Sequence, residues 1–260
     1  MKSIDILSFP WDNPDKLAKE FDFIKSSSTR KVIKYKFGDR ILFIKNYKVK
    51  EEGKYIFHRY KASKALTEWN NGNRLLKAGI PTLKPLAVFE RWKNNKVYDS
   101  FIVTDEIKNV INAKDFLLSE KNNELRKIFL IAIINFMKKM HSVNFYHDDM
   151  KFAHILLDKE YSKDFRFTII DLDNGLFLKG YHLWGMAKNY LQLMKSIPDE
   201  AMKSEEKLFF TKEYCDNKSI NLFLLKFVIR LILIQKQIKE IKRGFFKIIR
   251  NLFKLIIKKM

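Results

Sequence analysis

The chain has 260 residues, of which 47% are apolar and 14% aromatic, enough for one two-lobed domain or two small ones. This composition excludes general disorder, and the single cysteine, Cys215, excludes an intramolecular disulfide framework and a cysteine-based zinc cage. The formal charge of +21 predicts polyanionic surroundings, with nucleic acid, an anionic membrane face and a phosphorylated substrate as the alternatives.

The first residues, 1–16, include acidic residues and a proline before any apolar stretch reaches the length of a signal peptide. The most apolar window, residues 222–234, is too short for a transmembrane helix and is interrupted by Lys226 and Arg230. The sparse use of cysteine fits a reducing compartment. These features together predict a cytoplasmic protein.

Strands and one helix are predicted in the N-terminal part of the chain. Residues 31–45 are expected to form two short strands around a Phe-Gly-Asp turn. Residues 61–78 are expected to form a helix that ends at Gly79. Two further strands are predicted around residues 86–91 and 98–104. The apolar residues on or near one face of the helix are Leu66, Trp69, Leu75 and Leu76.

Helices dominate the rest of the chain. A long apolar helix is predicted over residues 124–141, and a loop rich in His and Asp follows it. A strand that ends at Ile170 comes next, and helices continue to the C-terminus. Strands first and helices afterwards predict an α+β protein with a small N-terminal lobe and a larger helical lobe.

The most informative stretch is the loop YHDDMKFAHILLD, residues 146–158. It contains His147, Asp149, Lys151 and, five positions after Asp149, a second histidine, His154. Kinase-like phosphotransferases have the pattern H-x-D-x-x-x-x-N here, followed by a hydrophobic strand. A carboxylate there accepts or orients the proton of the attacking hydroxyl. We therefore predict Asp149 as the base and Lys151 as the cation that neutralises the transferring phosphoryl group.

A second aspartate follows at the end of another predicted strand. In FTIIDLD, residues 167–173, Asp171 matches the metal-binding aspartate of the D-F-G element. Hard divalent cations need carboxylate oxygens, and the phosphates of ATP need such cations. Each motif alone has a plainer explanation as a turn or a helix cap. Their order and spacing favour a base, Asp149, and a metal ligand, Asp171.

The nucleotide side of a kinase needs a lysine on a small-lobe strand and a glutamate on the next helix. Lys45 ends the apolar strand ILFIK, and Glu68 lies on the following helix, although solvated surface positions are the alternative for both. Residues 26–30, Ser-Ser-Ser-Thr-Arg, stand where a phosphate-covering loop is expected, without a G-x-G-x-x-G motif. A predicted interlobe hinge would bring backbone groups of Glu106 and Ile107 to the adenine.

These motifs resemble those of the lipopolysaccharide core-sugar kinases, the Kdo and heptose kinases of Gram-negative bacteria. The run EWNNGNRLLKAGIPTLKPLAV, residues 68–88, is similar to their small-lobe signature. Three further runs are similar to theirs: SFIVTDEI (100–107), HDDMKFAHILL (147–157) and IDLD (170–173). The resemblance covers roughly residues 25–196 and ends with the helix that contains residues 184–196.

The resemblance implies a protein-kinase-like two-lobed fold, ATP and Mg²⁺ as cofactors, and a lipopolysaccharide core sugar as acceptor. It implies Asp149 as the catalytic base, Asp171 as the magnesium ligand, and Lys45 with Glu68 as the pair that anchors the phosphates. His154 stands where protein kinases have asparagine, as in the heptose-kinase branch. It would serve either as a ligand of a second metal or as a residue that orients Asp149.

The C-terminal residues, 235–260, carry nine basic residues against the single acid Glu240. Apolar residues recur among them at three- and four-residue spacing, which predicts a basic amphipathic helix. Such a helix suits the surface of an anionic membrane, and the alternative is a terminal helix packed on the large lobe. The expected location is therefore the cytoplasmic face of the inner membrane, with peripheral attachment.

We divide the chain into an N-terminal extension (1–24), a small nucleotide-binding lobe (25–107), a helical catalytic lobe (108–220) and a basic tail (221–260). The leading interpretation is an ATP-dependent kinase that phosphorylates a Kdo or heptose hydroxyl of the lipopolysaccharide inner core. The alternatives are a kinase of a small alcohol, aminoglycoside or protein, and a weak nucleotide binder or basic nucleic-acid-binding protein. No zinc finger, RNA-binding aromatic signature or helix-turn-helix is evident, so no specific nucleic acid is expected.

Overall fold

The structure of the protein is a computed structural model. It describes residues 22–27, 30–37, 40–48, 62–93, 95–160, 164–180, 182–215, 221–238 and 240.

An antiparallel sheet of five strands forms the N-terminal lobe. The strands are β1 (Asp22–Ser26), β2 (Arg30–Phe37), β3 (Arg40–Lys48), β4 (Pro85–Lys93) and β5 (Lys96–Asp105), and their order in the sheet is β1-β2-β3-β5-β4. The four predicted strands are confirmed as β2 to β5, while the turn at residues 38–39 lies outside the described residues. Strand β1 was not predicted, because the alternating pattern of DFIKS is too short. It begins within residues 1–24, which were assigned to the N-terminal extension.

Helix α1 (Lys64–Lys77) connects β3 to β4 along the chain and confirms the predicted helix, which begins three residues later than expected. Ser63 accounts for this start, because its hydroxyl accepts a hydrogen bond of 3.1 Å from the backbone N–H of Leu66. At the other end Gly79 has a φ of 71°, which a glycine adopts at low cost.

The buried face of α1 is more polar than its sequence pattern suggested. Glu68, Asn71 and Gly72 are buried beside Leu75, whereas Leu76 is 37% exposed. A Cβ atom at Gly72 would lie 2.8 Å from the Pro85 ring, so glycine lets the helix approach β4 closely. The helix therefore presents a carboxylate and an amide, rather than an apolar stripe, to the interior between the lobes.

The second lobe is largely helical and contains two small sheets. Its elements are β6 (Val110–Asn112), α2 (Ala113–Ser119), α3 (Asn123–Ser142), β7 (Phe145–His147), β8 (Ile155–Asp158), β9 (Phe167–Ile169), β10 (Gly175–Phe177), α4 (Leu183–Lys195) and α5 (Ser204–Cys215). Helix α3 confirms the long apolar helix, and β9 confirms the strand before the second aspartate. Antiparallel pairing joins β7 to β10, β6 to β8, and β8 to β9. Strands followed by helices confirm the predicted α+β class.

A further helical segment covers residues 222–238 and will be called the C-terminal helix. Leu225 and Val228 on one face are buried in the core of the large lobe. The opposite face exposes Phe223, Phe227, Leu231, Ile234 and Ile238 to solvent. The second half of the predicted basic tail, residues 241–260, lies outside the described residues. In the described part of the chain, no helix is long and apolar enough to cross a membrane.

Helix α3 carries a buried histidine, His141, near its C-terminal end. Its ring stacks on that of Tyr146, with ring centroids 5.2 Å apart, and its Nε2 lies 3.2 Å from the Oδ1 of Asn189. Burial lowers the pKa of His141 from 6.5 to about 4, against a smaller opposing effect of the hydrogen bond to Asn189. Between these two values the unfolded chain binds more protons at this residue than the folded chain does, so stability falls as the pH falls.

We expect the free energy of unfolding to depend on pH less steeply in His141→Phe than in the wild type. The phenylalanine keeps the ring contact with Tyr146 but has no proton to bind. Between pH 7.5 and pH 5.0 the wild type should lose about 2 kcal/mol more than the variant. Urea unfolding at several pH values measures the difference, and carboxylate pairs such as Arg126–Glu206 contribute equally to both proteins. Parallel pH profiles would contradict this account of His141.

Candidate active site

A buried ion pair joins the sheet to helix α1. The Nζ of Lys45 on β3 lies 2.6 Å from the Oε1 of Glu68, and the hydroxyl of Tyr47 donates a 2.7 Å hydrogen bond to the other carboxylate oxygen. Lys45 and Tyr47 share a face of β3 because side chains alternate along a strand. Burial by itself would lower the pKa of Lys45, but attraction to Glu68 and Asp171 outweighs it and raises the pKa.

The loop after β7 places Asp149 at the opening of the site. The backbone N–H of Asp149 donates to the Nδ1 of His147, 3.2 Å away, and the Nε2 of His147 lies 3.0 Å from the carbonyl oxygen of Ile170. These contacts fit a neutral ring that is protonated on Nε2, and burial lowers the pKa of His147. The side chain of Asp149 remains 42% exposed, and its Oδ2 accepts a 2.7 Å hydrogen bond from Lys151.

Helix α4 holds this loop from behind with four side chains on one face: Lys188, Asn189, Gln192 and Ser196, the last at the C-cap. Asn189 bonds both the N–H and the carbonyl of His147. Gln192 donates to the carbonyl of Asp148 and accepts a 3.3 Å hydrogen bond from the N–H of Met150. The backbone on both sides of Asp149 is thereby fixed. In the sequence this helix was noted only as the end of the family resemblance, and no role was predicted for its polar residues.

Replacing Gln192 with leucine should lower kcat for phosphoryl transfer by roughly 10- to 100-fold, because the peptide groups on both sides of Asp149 lose their hydrogen bonds to this side chain. The KM for ATP should hardly change, since Gln192 touches no predicted nucleotide ligand. Steady-state kinetics separates the two parameters. Lys195→Gln, at an exposed position on the same helix, is the control. A rise in KM with unchanged kcat would contradict a positioning role for Gln192.

The second aspartate lies on a loop that is tied to the first. Pairing of β7 with β10 puts His147 opposite Gly175, and the N–H of Ile170 donates to the carbonyl of His154 at 2.9 Å. Helix α1 contributes Asn71, whose amide donates to the carbonyl oxygens of Leu172 and Gly175. Residues far apart in sequence are therefore held in one cleft between the lobes.

Asp171 contacts the side chains of Arg30, Lys45 and His154 in this cleft. Its φ of 68° places it in the left-handed region, which aspartate tolerates better than most residues. Burial alone would raise the pKa of Asp171, but Lys45, with its Nζ 3.3 Å from Oδ1, and Arg30 hold the pKa well below its usual range. The carboxylate is therefore ionised at neutral pH.

His154 lies between the two aspartates. Its Nδ1 donates to the carbonyl oxygen of Asp149 at 2.9 Å, and its Nε2 is 3.6 Å from the Oδ2 of Asp171. Burial lowers the pKa of His154, which favours the neutral ring with a free lone pair on Nε2. This geometry agrees with both roles considered for the residue, as a metal ligand and as a holder of the Asp149 loop.

The hinge uses one of the backbone groups that were predicted to meet adenine. The N–H of Glu106 donates a 3.0 Å hydrogen bond to the carbonyl of Ile41 on β3, and the Glu106 carboxylate pairs with Lys34 at 2.9 Å. A contact between Glu106 and adenine would therefore use the carbonyl oxygen. Ile107 follows directly, so a donor to the base is left to that residue or to one after it.

The donor set fits a magnesium–nucleotide. Among the residues that the structure describes, no group of three or more His, Cys, Asp or Glu side chains is placed to hold a metal by itself. Magnesium in kinases is held by one or two protein ligands and by the phosphates of the substrate. An ionised Asp171 beside the Nε2 of His154, with the Lys45 ammonium nearby, is such an incomplete site.

A family model matches most of the chain. The model of the "Lipopolysaccharide kinase (Kdo/WaaP) family" matches residues 17–214. The chain belongs to this family. The match begins before β1 and ends within α5, so it spans both lobes and the cleft between them. The resemblance inferred from the motifs is thereby confirmed.

Individual relatives in the family are distant. The lipopolysaccharide core heptose(I) kinase WaaP of Pseudomonas aeruginosa is 28% identical over 157 residues, 58% of this chain and 59% of that protein. The corresponding WaaP of Escherichia coli (strain K12) is 23% identical over 162 residues, 58% and 61% of the two chains. A 3-deoxy-D-manno-octulosonic acid kinase of Mannheimia succiniciproducens is 24% identical over 147 residues, 55% and 60%. The chain thus spans about three-fifths of the length of these relatives.

A solved structure titled "WaaP in complex with acyl carrier protein" has the same fold. Its TM-score is 0.60 with 20% identity, and the match covers 88% of this chain and 92% of that one. The predicted kinase-like fold is confirmed by this match. The role of each site residue stays a prediction. Contacts in the cleft connect six of the eight, namely Lys45, Glu68, Asp149, Lys151, His154 and Asp171. Glu106 and Ile107 follow β5 in the hinge.

Two groups of residues near this cleft were missed at the sequence level. Arg30 ends the Ser-Ser-Ser-Thr-Arg segment, which was expected to cover the phosphates without a role for this side chain, yet the side chain contacts Asp171. The polar face of α4 was missed because Lys188, Asn189 and Gln192 look like the solvated side of a helix. The spacing of these three, one and then three positions apart, was the available signal for a shared partner.

Proposed function

We propose that the protein is an ATP-dependent kinase that phosphorylates a sugar hydroxyl, of Kdo or of heptose, in the lipopolysaccharide inner core. The observation that carries this proposal is the convergence of a half-exposed carboxylate, Asp149, with a partly buried, ionised one, Asp171, beside the Lys45–Glu68 pair. Family membership supports the choice of a sugar acceptor.

In this mechanism the protein positions the reactants. The Lys45 ammonium, held by Glu68, binds the phosphates of ATP, and backbone groups of the hinge bind the adenine. Asp171, with His154 beside it, would hold magnesium, which would supply positive charge that neutralises the phosphates. The sugar hydroxyl lies against Asp149, which orients it and accepts its proton. Its oxygen forms the new bond to the γ-phosphorus, the bond from that phosphorus to the bridging oxygen breaks, and ADP leaves.

Lys151 also takes part in this mechanism. Its Nζ lies 2.7 Å from Asp149, so the ammonium is close to the position of the transferring group. There it offsets the negative charge that gathers on the phosphoryl oxygens.

The test is transfer of label from γ-labelled ATP to dephosphorylated core lipopolysaccharide in the presence of magnesium, with wild type and Asp149→Asn in parallel. Label on the glycolipid from the wild type alone supports the proposal. Label on an aminoglycoside, a small alcohol or a protein, and none on the glycolipid, would show that the protein is a kinase with a different acceptor. A wild type that binds no magnesium–ATP overturns the assignment as a kinase.

We also propose that the C-terminal helix attaches the protein to the inner face of the inner membrane. The exposed apolar stripe that contains Phe223 and Phe227 is flanked by the exposed cations Lys226 and Arg230. Apolar side chains with basic neighbours bind anionic lipid surfaces, at about 1 kcal/mol for each cation near the surface. A lipid-linked acceptor would be met at the same surface.

Flotation with vesicles tests this attachment. Wild type should float with vesicles that contain anionic phospholipid and remain behind with zwitterionic ones, and Phe223→Ser/Phe227→Ser should float with neither. The solved structure titled "WaaP in complex with acyl carrier protein" contains such a partner, so acyl carrier protein is the competing occupant. Binding of purified acyl carrier protein through the two phenylalanines, without flotation, would overturn the membrane assignment.

A further inference from the structure

Arg30 makes the most unusual contact in the cleft. This residue begins β2, and its guanidinium grips the Asp171 carboxylate with two nitrogens: Nη1 donates to Oδ2 at 3.2 Å, and Nη2 donates to Oδ1. The two side chains are only 22% and 14% exposed. The fork of the guanidinium thus covers both oxygens of the carboxylate that was predicted to bind magnesium.

The contact competes directly with a metal. Magnesium binds carboxylate oxygens at about 2.0–2.1 Å in a nearly octahedral arrangement, so it would compete with Arg30 for the two oxygens of Asp171. Two cations in front of one carboxylate would also repel each other. The Arg30–Asp171 pair therefore has to open when a metal binds at Asp171, and the released guanidinium needs a new anionic partner because it stays partly buried.

The position of Arg30 indicates which partner that would be. Ser27 fixes the backbone of Arg30: its hydroxyl accepts from the Arg30 N–H at 3.1 Å, and its own N–H donates to the Arg30 carbonyl at 2.8 Å. Arg30 and Lys45 both reach Oδ1 of Asp171, so the two cations converge on one point. Lys45 is the phosphate anchor in the proposed function, and a ligand of Lys45 would lie within reach of Arg30.

One further observation points the same way. The Nε of Arg30 is buried and has no hydrogen-bond partner among the described residues. A guanidinium whose Nε is unpaired and whose two Nη nitrogens contact a displaceable partner is not satisfied by the protein alone. Its planar fork matches the paired oxygens of a phosphate better than an ammonium does.

We propose that Arg30 is a ligand of the nucleotide phosphates, and that its pair with Asp171 is the resting state of the nucleotide-free enzyme. Entry of magnesium and ATP transfers the guanidinium from the carboxylate to a phosphate, and the metal takes its place on Asp171. This assignment rests on the proposed use of ATP but not on the identity of the acceptor. The alternative is an Arg30–Asp171 pair that only joins the strand to the metal loop.

Calorimetric binding without any acceptor separates these possibilities. Arg30→Gln should weaken binding of magnesium–ATP by about 10- to 100-fold, as expected for the loss of charged hydrogen bonds, and leave adenosine binding unchanged. Lys36→Gln removes one positive charge from an exposed position on the same strand and should change neither affinity. Arg30→Lys keeps the charge but loses the fork, and should lie between wild type and Arg30→Gln.

A second comparison tests the transfer itself, in the absence of magnesium. Asp171→Asn removes the resting partner of Arg30, so this variant should bind metal-free ATP about ten-fold more tightly than the wild type. The gain should vanish when Arg30→Gln is present as well, because no guanidinium remains to be released. A gain of equal size in both backgrounds would come only from the lost negative charge and would overturn the transfer.

The outcomes also separate this proposal from the kinase assignment. If Arg30→Gln binds magnesium–ATP as tightly as the wild type does, the role of Arg30 is overturned and the proposed function is unaffected. Equal losses for ATP and adenosine in Arg30→Gln indicate a structural pair and overturn the role as well. Wild type that binds no nucleotide overturns both. Unfolding in urea checks each variant, and Arg30→Lys carries the test if Arg30→Gln does not fold.

Discussion

Replacing Asp149 with asparagine is expected to lower kcat by about 10²–10⁴-fold, the usual contribution of a positioned general base. Asparagine keeps the size of the side chain and can still accept a hydrogen bond from Lys151, so the loop should keep its shape. It cannot accept the proton of the acceptor hydroxyl. Affinity for magnesium–ATP should remain at the wild-type level, since Asp149 lies on the acceptor side of the cleft. Rapid-quench measurement of the first turnover isolates this step from product release.

The neighbouring carboxylate is the matched control for this prediction. Asp148 is as exposed as Asp149, 41% against 42%, but its carboxylate is engaged by Lys188 of helix α4. Asp148→Asn makes the same chemical change one residue away and should lower kcat far less than Asp149→Asn. If Asp148→Asn were the more damaging of the two, the base would be Asp148 and the alignment of the loop with the kinase pattern would be wrong.

Replacing Lys45 with methionine is expected to have the second largest effect, on stability as well as on nucleotide binding. The pair with Glu68 is buried, with the two side chains 8% and 5% exposed. Loss of one partner leaves a buried charge without compensation, which costs about 3–5 kcal/mol in the free energy of unfolding. Magnesium–ATP should also lose its main anchor. Urea unfolding measures the first effect and calorimetric binding measures the second.

A double variant separates stability from function at this pair. In Lys45→Met/Glu68→Gln the glutamine is neutral and can still accept the hydrogen bond from Tyr47, so most of the lost stability should return. Nucleotide binding should not return, because no cation replaces Lys45. Lys236→Met is the control, since that lysine and its partner Glu240 are 67% and 63% exposed and their ion pair should contribute little. Recovery of nucleotide binding in the double variant would show that Lys45 is not the phosphate anchor.

The order of elements in the fold could be predicted because it depends on local patterns. Four of the five small-lobe strands, helix α1 and helix α3 follow from turn residues and apolar periodicity within about twenty positions. Strand β1 could not be found in this way, because its pattern is too short and its place in the sheet depends on pairing with β2. The start of α1 moved to Lys64 because the side chain of one residue, Ser63, caps the helix.

In the candidate site, too, the residues that could be predicted are those that depend on local patterns. Asp149 and Asp171 could be singled out because each stands at a recognisable distance from a strand, and Lys45 and Glu68 because a strand and the next helix bring them together. The pairing of Lys45 with Glu68 followed from the family pattern, and the 2.6 Å contact agrees with it. What the hinge offers to adenine could not be predicted, because the N–H of Glu106 is taken by Ile41, a residue 65 positions earlier.

By itself, then, the sequence determined the class of fold, the two aspartates and the buried lysine, since these depend on residue types at short and regular spacing. Only the tertiary structure decided which side chains surround them. Arg30 and Asp171 are 141 positions apart, and the α4 residues that hold the Asp149 loop lie about 40 positions after it. Contacts at such separations are set by how the two lobes and the helices pack, and no local pattern of charge or hydrophobicity encodes them.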